Sequence, residues 1–379
     1  MHIGFLTPEF PHLPATASAG LGSSIMNLAK ALVKKGARVS IFLYGQERDA
    51  VFENEGIKFH FIKQKRYKLL GWFLYRKQLQ NYINKIIRKE NIQLLEAPDW
   101  TGITAFMKLK CPLIIRMHGS DAYFCELENR PQKKKNYYFE KWALTGADHL
   151  LSVSKFTAEK TVAIFGLKKA ITIIQNSIDI EFFKPIPGIE NADLILYFGS
   201  IIRKKGVLEL AEIFNNVIAK NPNATLSLLG KDVVDIIEKR STYQLFFEKL
   251  SPQAKNKVTH IPAVEYDEIQ EYLNSASVVV LPSFAEAFPM TWLEAMAMEK
   301  AIVTSNIGWA PEVMVNNITG YMENPRNHKA FSKKVLNLLN DRNLARKMGK
   351  AARKEVIEKF STTVIIEKNI NFYNNVLRG

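Results

Sequence analysis

Short runs of aliphatic and β-branched residues alternate along the chain with stretches of helical periodicity, and this alternation constrains the fold most. It is typical of parallel α/β sheets, in which a crossover helix follows each strand. In the helical stretch 23–35, Ile25, Leu28 and Leu32 share one face and Gly36 follows as a stop. The predicted strands are Ile3–Thr7, Arg38–Tyr44, Ile57–Ile62, Ile92–Ala97, Leu113–His118, His149–Val153, Ile171–Gln175, Leu194–Phe198, Ala224–Leu229, Val258–Ile261, Val278–Leu281 and Ala301–Thr304.

The pattern breaks around Phe183–Gly188, where two prolines occur, and then restarts. We therefore predict two doubly wound, Rossmann-like domains, 1–185 and 190–359, with a final helix at about 360–379 that packs back on the first. A length of 379 residues, 47% of them hydrophobic, suits two domains that each have a core. Ligands bind beyond the carboxyl ends of such strands, so we expect the active site in a cleft between the domains.

Cysteine content and hydropathy indicate where in the cell the protein is located. The two cysteines, Cys111 and Cys125, fit neither a zinc spacing nor a disulfide framework. The first residues lack the pattern of a signal peptide, and no apolar run is long enough to span a bilayer. We expect a cytoplasmic protein, free or peripheral on the inner face of the cell membrane.

The segment Leu281–Ala297 is the richest in candidate chemistry. A buried strand ends at Pro282, a short loop carries Glu286, and a helix that starts near Pro289 carries Glu294. Free amides at a helix start can bind a diphosphate, and the flanking carboxylates can accept hydrogen bonds from sugar hydroxyls. Spacing alone favours a simpler interpretation, an ordinary loop glutamate and a helix-surface glutamate.

The same segment resembles the E-x7-E motif of the retaining glycosyltransferases of family 4. That family has the GT-B fold, in which two Rossmann-like domains face each other across a cleft. The similarity covers nearly the whole chain and is strongest from 194 to 325. The residues that carry it are Val279–Ser283, Phe288, Glu294–Ala297, Ile302–Ser305, Gly308, Ala310–Val313, Thr319–Tyr321, Phe198 with Gly199, Lys205 with Gly206, Asn176 with Asp179, and His118 with Gly119.

The resemblance implies roles for residues of the second domain. Glu286 contacts the donor sugar, Glu294 the ribose hydroxyls, and Lys205 holds the diphosphate in place of a metal. The backbone of Phe288, Pro289 and Met290 reaches the phosphates and the sugar. An Asp-x-Asp motif is absent from the sequence, so we expect neither a metal nor a cofactor beyond the nucleotide-sugar co-substrate.

This sequence departs from the family pattern at several positions. The usual arginine after Gly199 is Ser200, and we predict that Arg203 supplies the guanidinium instead. The alternative for Arg203 is a solvated charge beside Lys204. Glu299 and Ala301 stand where a glycine and a proline are usual, and Trp309 replaces a glycine.

In the first domain, the loop Ala19–Gly22 and two strand ends are candidates. Gly20 and Gly22 let the backbone approach a phosphate or the acceptor closely. The resemblance places His118 near the transferred sugar, so we predict that His118, Glu286 and Lys205 are catalytic. The residues predicted to serve the acceptor side are Asp99 and Trp100, with Glu96 from the same segment, and Asp121. Asp121 and Arg116 are weaker candidates beside His118.

Positive charge is concentrated in the first half. Residues 1–190 hold 28 of the 52 Lys and Arg residues and 17 of the 37 Asp and Glu residues, which gives +11 of the total +15. Basic residues at 63–68 adjoin Trp72, Phe73 and Tyr75, and a second cluster follows at 133–138. This composition suits an anionic membrane surface, the alternative being a solvated face above inward-packed aromatics. No nucleic-acid-binding module accompanies it, so we expect no nucleic-acid partner.

Together these features predict a retaining glycosyltransferase (EC 2.4) that moves a sugar from a nucleotide-sugar donor to a saccharide or lipid-linked acceptor, in cell-surface polysaccharide or glycolipid biosynthesis. A nucleotide-sugar epimerase would need further acid and base residues. A catalytically silent sugar-nucleotide binder conflicts with intact Glu286, Glu294, Lys205 and His118. A dehydrogenase would need the full dinucleotide fingerprint, which Gly20 and Gly22 do not complete.

Overall fold

The computed structural model describes residues 1–11, 20–186, 188 and 191–379. They divide into two compact units: unit 1 comprises Met1–Ser177 and Thr362–Gly379, and unit 2 comprises Ile178–Ser361. Ala19 of the predicted glycine loop and Pro187 of the predicted linker lie outside the described residues, as do Ile189 and Glu190.

In the described part of unit 1, eight strands form one sheet in the order β3-β4-β2-β1-β5-β6-β7-β8. All neighbours pair in parallel except β3 and β4, which are antiparallel. The strands are β1 His2–Thr7, β2 Arg38–Gln46, β3 Ala50–Asn54, β4 Ile57–Lys63, β5 Leu94–Pro98, β6 Leu113–Met117, β7 His149–Ser152 and β8 Ile171–Ile173.

The helices of unit 1 cover this sheet because each presents an apolar face to it. They are α1 Gly20–Lys34, α2 Gly71–Glu90, α3 Asp121–Leu127, α4 Lys134–Gly146 and α5 Lys155–Phe165. Leu79, Ile83 and Ile87 of α2 lie on one face at helical spacing and pack in the core with Leu95 and Ile115 of the central strands.

The described part of unit 2 has a parallel six-stranded sheet in the order β11-β10-β9-β12-β13-β14. Its strands are β9 Leu194–Phe198, β10 Thr225–Leu229, β11 Val258–Ile261, β12 Val278–Leu281, β13 Ala301–Ser305 and β14 Tyr321–Glu323. Its helices are α6 Val207–Ile218, α7 Thr242–Lys249, α8 Pro252–Lys255, α9 Ile269–Ser275, α10 Met290–Ala297, α11 His328–Asn340 and α12 Arg342–Lys359.

The last helix, α13 Thr362–Arg378, belongs to unit 1 although it follows unit 2 in sequence. The first segment of unit 2 begins at Ile178, earlier than the linker predicted at 183–188, because that segment is bonded to α12. Arg353 donates from Nη1 to the carbonyl of Phe183 (2.9 Å) and from Nη2 to that of Ile180 (3.2 Å). Phe183 is buried, so it is part of the core of unit 2 and not of a linker.

Each predicted strand is present, with ends that differ by a few residues, and the chain after Asn327 is helical as predicted. The sequence prediction missed β3 and β14. Trp309, which stands where the family usually has a glycine, is fully buried in unit 2. Among the described residues, none of the helices has both the length and the apolar character needed to cross a membrane.

Glu299 has a left-handed backbone, with φ of +56°, at the position where the family usually has glycine. It ends the turn after α10, and Gly349 of α12 packs against it: a Cβ on Gly349 would lie 1.9 Å from the Glu299 carbonyl oxygen. The helix contact therefore fixes this conformation, and a side chain at 299 is strained in it.

We expect Glu299→Gly to increase the free energy of unfolding by about 1 kcal/mol, because glycine adopts the left-handed conformation without that strain. Urea denaturation measures the change in the free energy of unfolding. Glu299→Ala is the matched control, since it removes the carboxylate but keeps the Cβ. Equal stabilisation by alanine and glycine would show that the backbone is not the cause.

Candidate active site

The turn that follows β9 carries the predicted donor lysine. Gly199 and Gly206 bracket this turn with φ of +126° and +70°, so both are in conformations that favour glycine. A Cβ on Gly206 would lie 2.0 Å from the carbonyl oxygen of Pro282, directly after β12. The turn after β9 and the loop after β12 are thus in close backbone contact at the carboxyl edge of the sheet.

This contact brings Lys205 to Glu286. Lys205 Nζ lies 3.0 Å from Glu286 Oε1, and both side chains are largely buried. Ser283 donates from Oγ to the same carboxylate oxygen at 3.0 Å. The backbone amide of Phe284 donates to the carbonyl of Lys204 at 2.8 Å, which holds the two loops in register.

Glu294 lies on α10 and is almost fully buried, at 3% exposure. Burial raises the pKa of its carboxyl to about 7, although a hydrogen bond from Tyr266 and the charge of Lys205 act to lower it. The Tyr266 hydroxyl donates to Glu294 Oε1 at 3.1 Å. The Tyr266 ring stacks on Phe182, with 5.8 Å between ring centroids and 2° between planes. Tyr266 therefore positions the Glu294 carboxylate.

The segment Phe288–Met290 leads into α10. Phe288 and Met290 are buried, and Phe288 packs edge-on against Phe360 with 5.4 Å between ring centroids. Pro289 is the N-cap of α10. Proline has no N–H, so the predicted amide contact cannot come from Pro289, and only Phe288 and Met290 can donate from this segment.

Arg203 forms an ion pair with a buried carboxylate. Its Nε and Nη2 donate to the two carboxylate oxygens of Asp235, at 2.8 and 3.0 Å, and Asp235 is fully buried. Glu238 adds a contact of 3.5 Å. The bidentate pair ties the turn after β9 to the loop after β10. Any contact of Arg203 with the donor stays a prediction.

In unit 1, His118 directly follows β6. Its backbone amide donates to Asp99 Oδ1 at 2.9 Å, and burial, together with the nearby charge of Arg116, lowers the pKa of its imidazole to about 3. The ring is neutral at physiological pH. Asp99 itself is fully buried, so it fixes the backbone at His118 and is not exposed for the predicted acceptor contact. Burial raises the pKa of Asp99 to about 7.

Of the other two residues predicted to contact the acceptor, one is exposed and one is held by hydrogen bonds within unit 1. Trp100 is exposed on a short 3-10 helix and is open to a ligand. Asp121, at the start of α3, accepts hydrogen bonds from Arg130 at 3.2 Å and Asn136 at 3.1 Å. These bonds offset the effect of burial and lower the pKa of Asp121, so its carboxylate is held within unit 1.

Glu96 and Arg116 form a buried ion pair within unit 1. Arg116 donates from Nε and Nη2 to the Glu96 carboxylate at 2.7 and 3.0 Å. Asn369 and Tyr373 of α13 complete the cluster: Arg116 donates to Asn369 Oδ1 at 2.6 Å, and the Tyr373 hydroxyl donates to Glu96 at 2.7 Å. All four are buried, so this pair anchors α13 to unit 1.

Gly20 and Gly22 lie in the first turn of α1 rather than in a loop before it. The amide of Gly22 donates to Glu9 Oε1 at 2.7 Å. A carboxylate of unit 1 therefore contacts the helix start at which the sequence predicted a ligand, and contact of Gly20 or Gly22 with the donor stays a prediction. Glu9, like Tyr266 and Asp235, was missed because its partner is distant in sequence and on another element.

Two family models match the chain. The model for group 1 glycosyl transferases matches residues 179–355, and that for glycosyltransferase family 4 matches residues 18–182. The relatives include the uncharacterized glycosyltransferase MJ1607 of Methanocaldococcus jannaschii, 24% identical over 98% of each chain. The capsular polysaccharide biosynthesis glycosyltransferase CapM of Staphylococcus aureus is 27% identical over 64% of this chain and 65% of its own.

Among solved structures, Anabaena Alr3699/HepE in complex with UDP and glucose is similar in fold, with a TM-score of 0.76, 18% identity, and coverage of 98% of this chain and 99% of its own. Two Rossmann-like units with the E-x7-E segment define a glycosyltransferase of the GT-B fold. The chain belongs to glycosyltransferase family 4, because the two models together cover most of its length. The predicted family, fold class and enzyme class are confirmed.

Among the described residues, no group of three His, Cys, Asp or Glu side chains is arranged to hold a metal ion. Independence from metal stays a prediction.

We expect Glu96→Gln to lower the free energy of unfolding by about 3 kcal/mol, because it leaves the buried Arg116 charge without a counter-charge. Chemical denaturation measures this loss. The double variant Glu96→Gln/Arg116→Met should recover part of it, since both charges are then removed. Nucleotide affinity should stay unchanged in both. A single variant as stable as the wild type would contradict the anchoring role.

Proposed function

We propose that this enzyme transfers a sugar from a nucleotide-sugar donor with retention of anomeric configuration, and that unit 2 binds the donor. One observation carries the proposal: Lys205, Glu286 and Glu294 come together at the carboxyl edge of the parallel sheet. Parallel α/β sheets bind ligands at that edge. A cation paired with one carboxylate and near a second suits a diphosphate flanked by hydroxyl-bearing rings.

Each side chain then has a chemical task. Lys205 stabilises the negative charge that develops on the leaving diphosphate, supported by the amides of Phe288 and Met290 near the start of α10. Glu286 accepts hydrogen bonds from the donor sugar, and Glu294 from the ribose. The departing diphosphate oxygen takes the proton of the acceptor hydroxyl, so no strong protein base is needed. His118, neutral because of its low pKa, supplies a hydrogen bond near the sugar.

For the acceptor, we propose a saccharide or a lipid-linked saccharide used in cell-surface polysaccharide or glycolipid synthesis. The similarity to CapM, named for capsular polysaccharide biosynthesis, supports this class. The HepE complex with UDP makes uridine diphosphate the first nucleotide to test. We place the enzyme in the cytoplasm, peripheral on the inner face of the cell membrane, because of the basic surface of unit 1.

Lys205→Ala should lower kcat by about 100-fold or more with little change in stability, because the leaving group loses its cation. Product formation from candidate nucleotide sugars measures this, with EDTA present because the proposal includes no metal. Lys231→Ala is the matched control, an exposed lysine just after β10. Undiminished turnover in the Lys205 variant would place the diphosphate elsewhere.

Nucleotide affinity should rise with pH around pH 7, where the Glu294 carboxyl loses its proton. Because the Tyr266 hydrogen bond stabilises the charged carboxylate, Tyr266→Phe should move the midpoint of this rise to higher pH. Relative to the wild type, the Tyr266→Phe variant should then lose most nucleotide affinity near about pH 6 and recover it near about pH 9. Calorimetry at each pH measures the affinity.

Glu294→Gln is the control for this experiment, because it has no carboxyl to titrate and its affinity should not follow the same rise. An unchanged midpoint in Tyr266→Phe would contradict the role of the hydroxyl, although the donor site itself would stand if Glu294→Gln still weakened binding.

A further inference from the structure

The imidazole of His118 has no hydrogen-bond partner among the residues that the structure describes, so the place of the ring follows mainly from that of its backbone. His118 starts the segment 118–122, which joins the end of β6 to the first turn of α3. Gly119 in this segment has φ of +93°, and a Cβ on it would lie 2.8 Å from the ring of Phe124 in α3. The position of α3 therefore controls the turn that presents the histidine.

Two buried carboxylates hold this segment by its backbone amides. Asp99, directly after β5, accepts a hydrogen bond from the amide of His118 at 2.9 Å. Glu140 of α4 accepts from the amide of Asp121 at 2.9 Å and from that of Ala122 at 3.0 Å, one with each carboxylate oxygen. Both carboxylate side chains belong to residues that are 0% exposed. Three amides of one short segment are thus bonded to two side chains from different elements.

The place of Glu140 is fixed by a backbone contact between α4 and the turn after β5. Gly102 in that turn has φ of +55°, and a Cβ on it would overlap with the carbonyl of Phe139 and lie 2.5 Å from the amide nitrogen of Glu140. The amide of Gly102 also donates to the carbonyl of Asp99 at 3.3 Å. Gln132 adds a hydrogen bond from Nε2 to Glu140 Oε2 at 2.9 Å. Both anchoring carboxylates are therefore set by the chain that follows β5.

Glu140 is buried without a counter-charge. In the part of the chain that the structure describes, no lysine, arginine or histidine pairs with it. Burial raises the pKa of Glu140 to about 7, although the amides of Ala122 and Asp121 and the side chain of Gln132 act to lower it. A buried carboxylate destabilises a fold unless its hydrogen bonds compensate. At the start of α3 the two amides have no partner within the helix, so Glu140 satisfies donors that burial would otherwise leave unpaired.

We infer that Glu140 is a positioning residue for sugar transfer: by holding the start of α3 it fixes the turn at Gly119, and so the place of the His118 imidazole. Asp99 supplies the second anchor, at the amide of His118 itself. The inference rests on the proposed function, in which neutral His118 supplies a hydrogen bond near the sugar. It adds the side chain that keeps this histidine in place.

Kinetics of Glu140 variants test the inference on the full chain. Glu140→Leu, similar in size but without an acceptor, should lower kcat about 100-fold, since a displacement of about 1 Å near the chemistry costs that much. Glu140→Gln should lie between this variant and the wild type, because its amide oxygen still accepts a hydrogen bond. Nucleotide affinity, measured by calorimetry, should not change in either. Glu126→Gln is the matched control, with the same change in charge on an exposed position of α3, and should keep the wild-type kcat.

A double-mutant cycle separates positioning from a general loss of structure. In a His118→Ala background, Glu140→Gln should lower kcat by about twofold at most, because no imidazole is left to position. A role in stability alone would lower kcat by the same factor in both backgrounds. Hydrogen exchange followed by mass spectrometry gives a readout that needs no substrate. Peptides that cover 118–125 should exchange faster in Glu140→Gln, whereas peptides from β1 and β2 should keep their wild-type rates.

The outcomes distinguish this inference from the proposed function. Equal factors in the two backgrounds, or unchanged exchange of the segment 118–125, would overturn the inference. Full activity of His118→Ala would overturn it as well, because the histidine would then have no role that requires a fixed place. If Glu140→Gln does not fold, Gln132→Ala removes only the bond that supports Glu140 and should give the same pattern with smaller changes. Absence of turnover with any nucleotide sugar in the wild type would refute the proposed function, and hydrogen exchange would still decide whether Glu140 holds the segment.

Discussion

The close approach of backbone at Gly206 and Pro282 is the constraint on which the donor site depends. Because β9 lies between β10 and β12, the turn after β9 contacts the ends of both neighbours. On the other side a Cβ on Gly230 would lie 2.0 Å from the carbonyl oxygen of Gly199. Glycines at both contacts let three strand ends meet without side chains between them. Lys205 and Glu286, from two different turns, can therefore form an ion pair across a sheet edge.

Much of this fold is predictable because buried parallel strands appear in the sequence as short aliphatic runs. Val278–Leu281 is such a run, and the structure has it as β12 with the same ends. The missed strands lack that pattern for physical reasons. β3, Ala50–Asn54, is an antiparallel edge strand with mixed burial, and β14 is only three residues long. Neither forms a continuous buried run.

The candidate site was predictable where residues are close in sequence, and not where a contact spans distant loops. Glu286 and Glu294 share one loop and helix, so one motif identifies both. Tyr266 contacts Glu294 from 28 positions away, and Asp235 contacts Arg203 from 32 positions away. Similarly, Glu96 and Arg116 lie near the ends of their strands, and His118 directly follows a strand. Sequence alone therefore does not distinguish the two structural residues from the predicted catalytic histidine. Only the position of α13 shows that they form a buried structural pair.

Glu286 and Glu294 lie in different surroundings. Glu286 is paired with Lys205 and accepts a hydrogen bond from Ser283, so its negative charge is compensated locally. Glu294, with a pKa raised to about 7 by burial, is ionised in only part of the molecules at neutral pH. Burial of Glu294 works against its charged form, and the Tyr266 hydroxyl preserves enough of the carboxylate for it to accept hydrogen bonds.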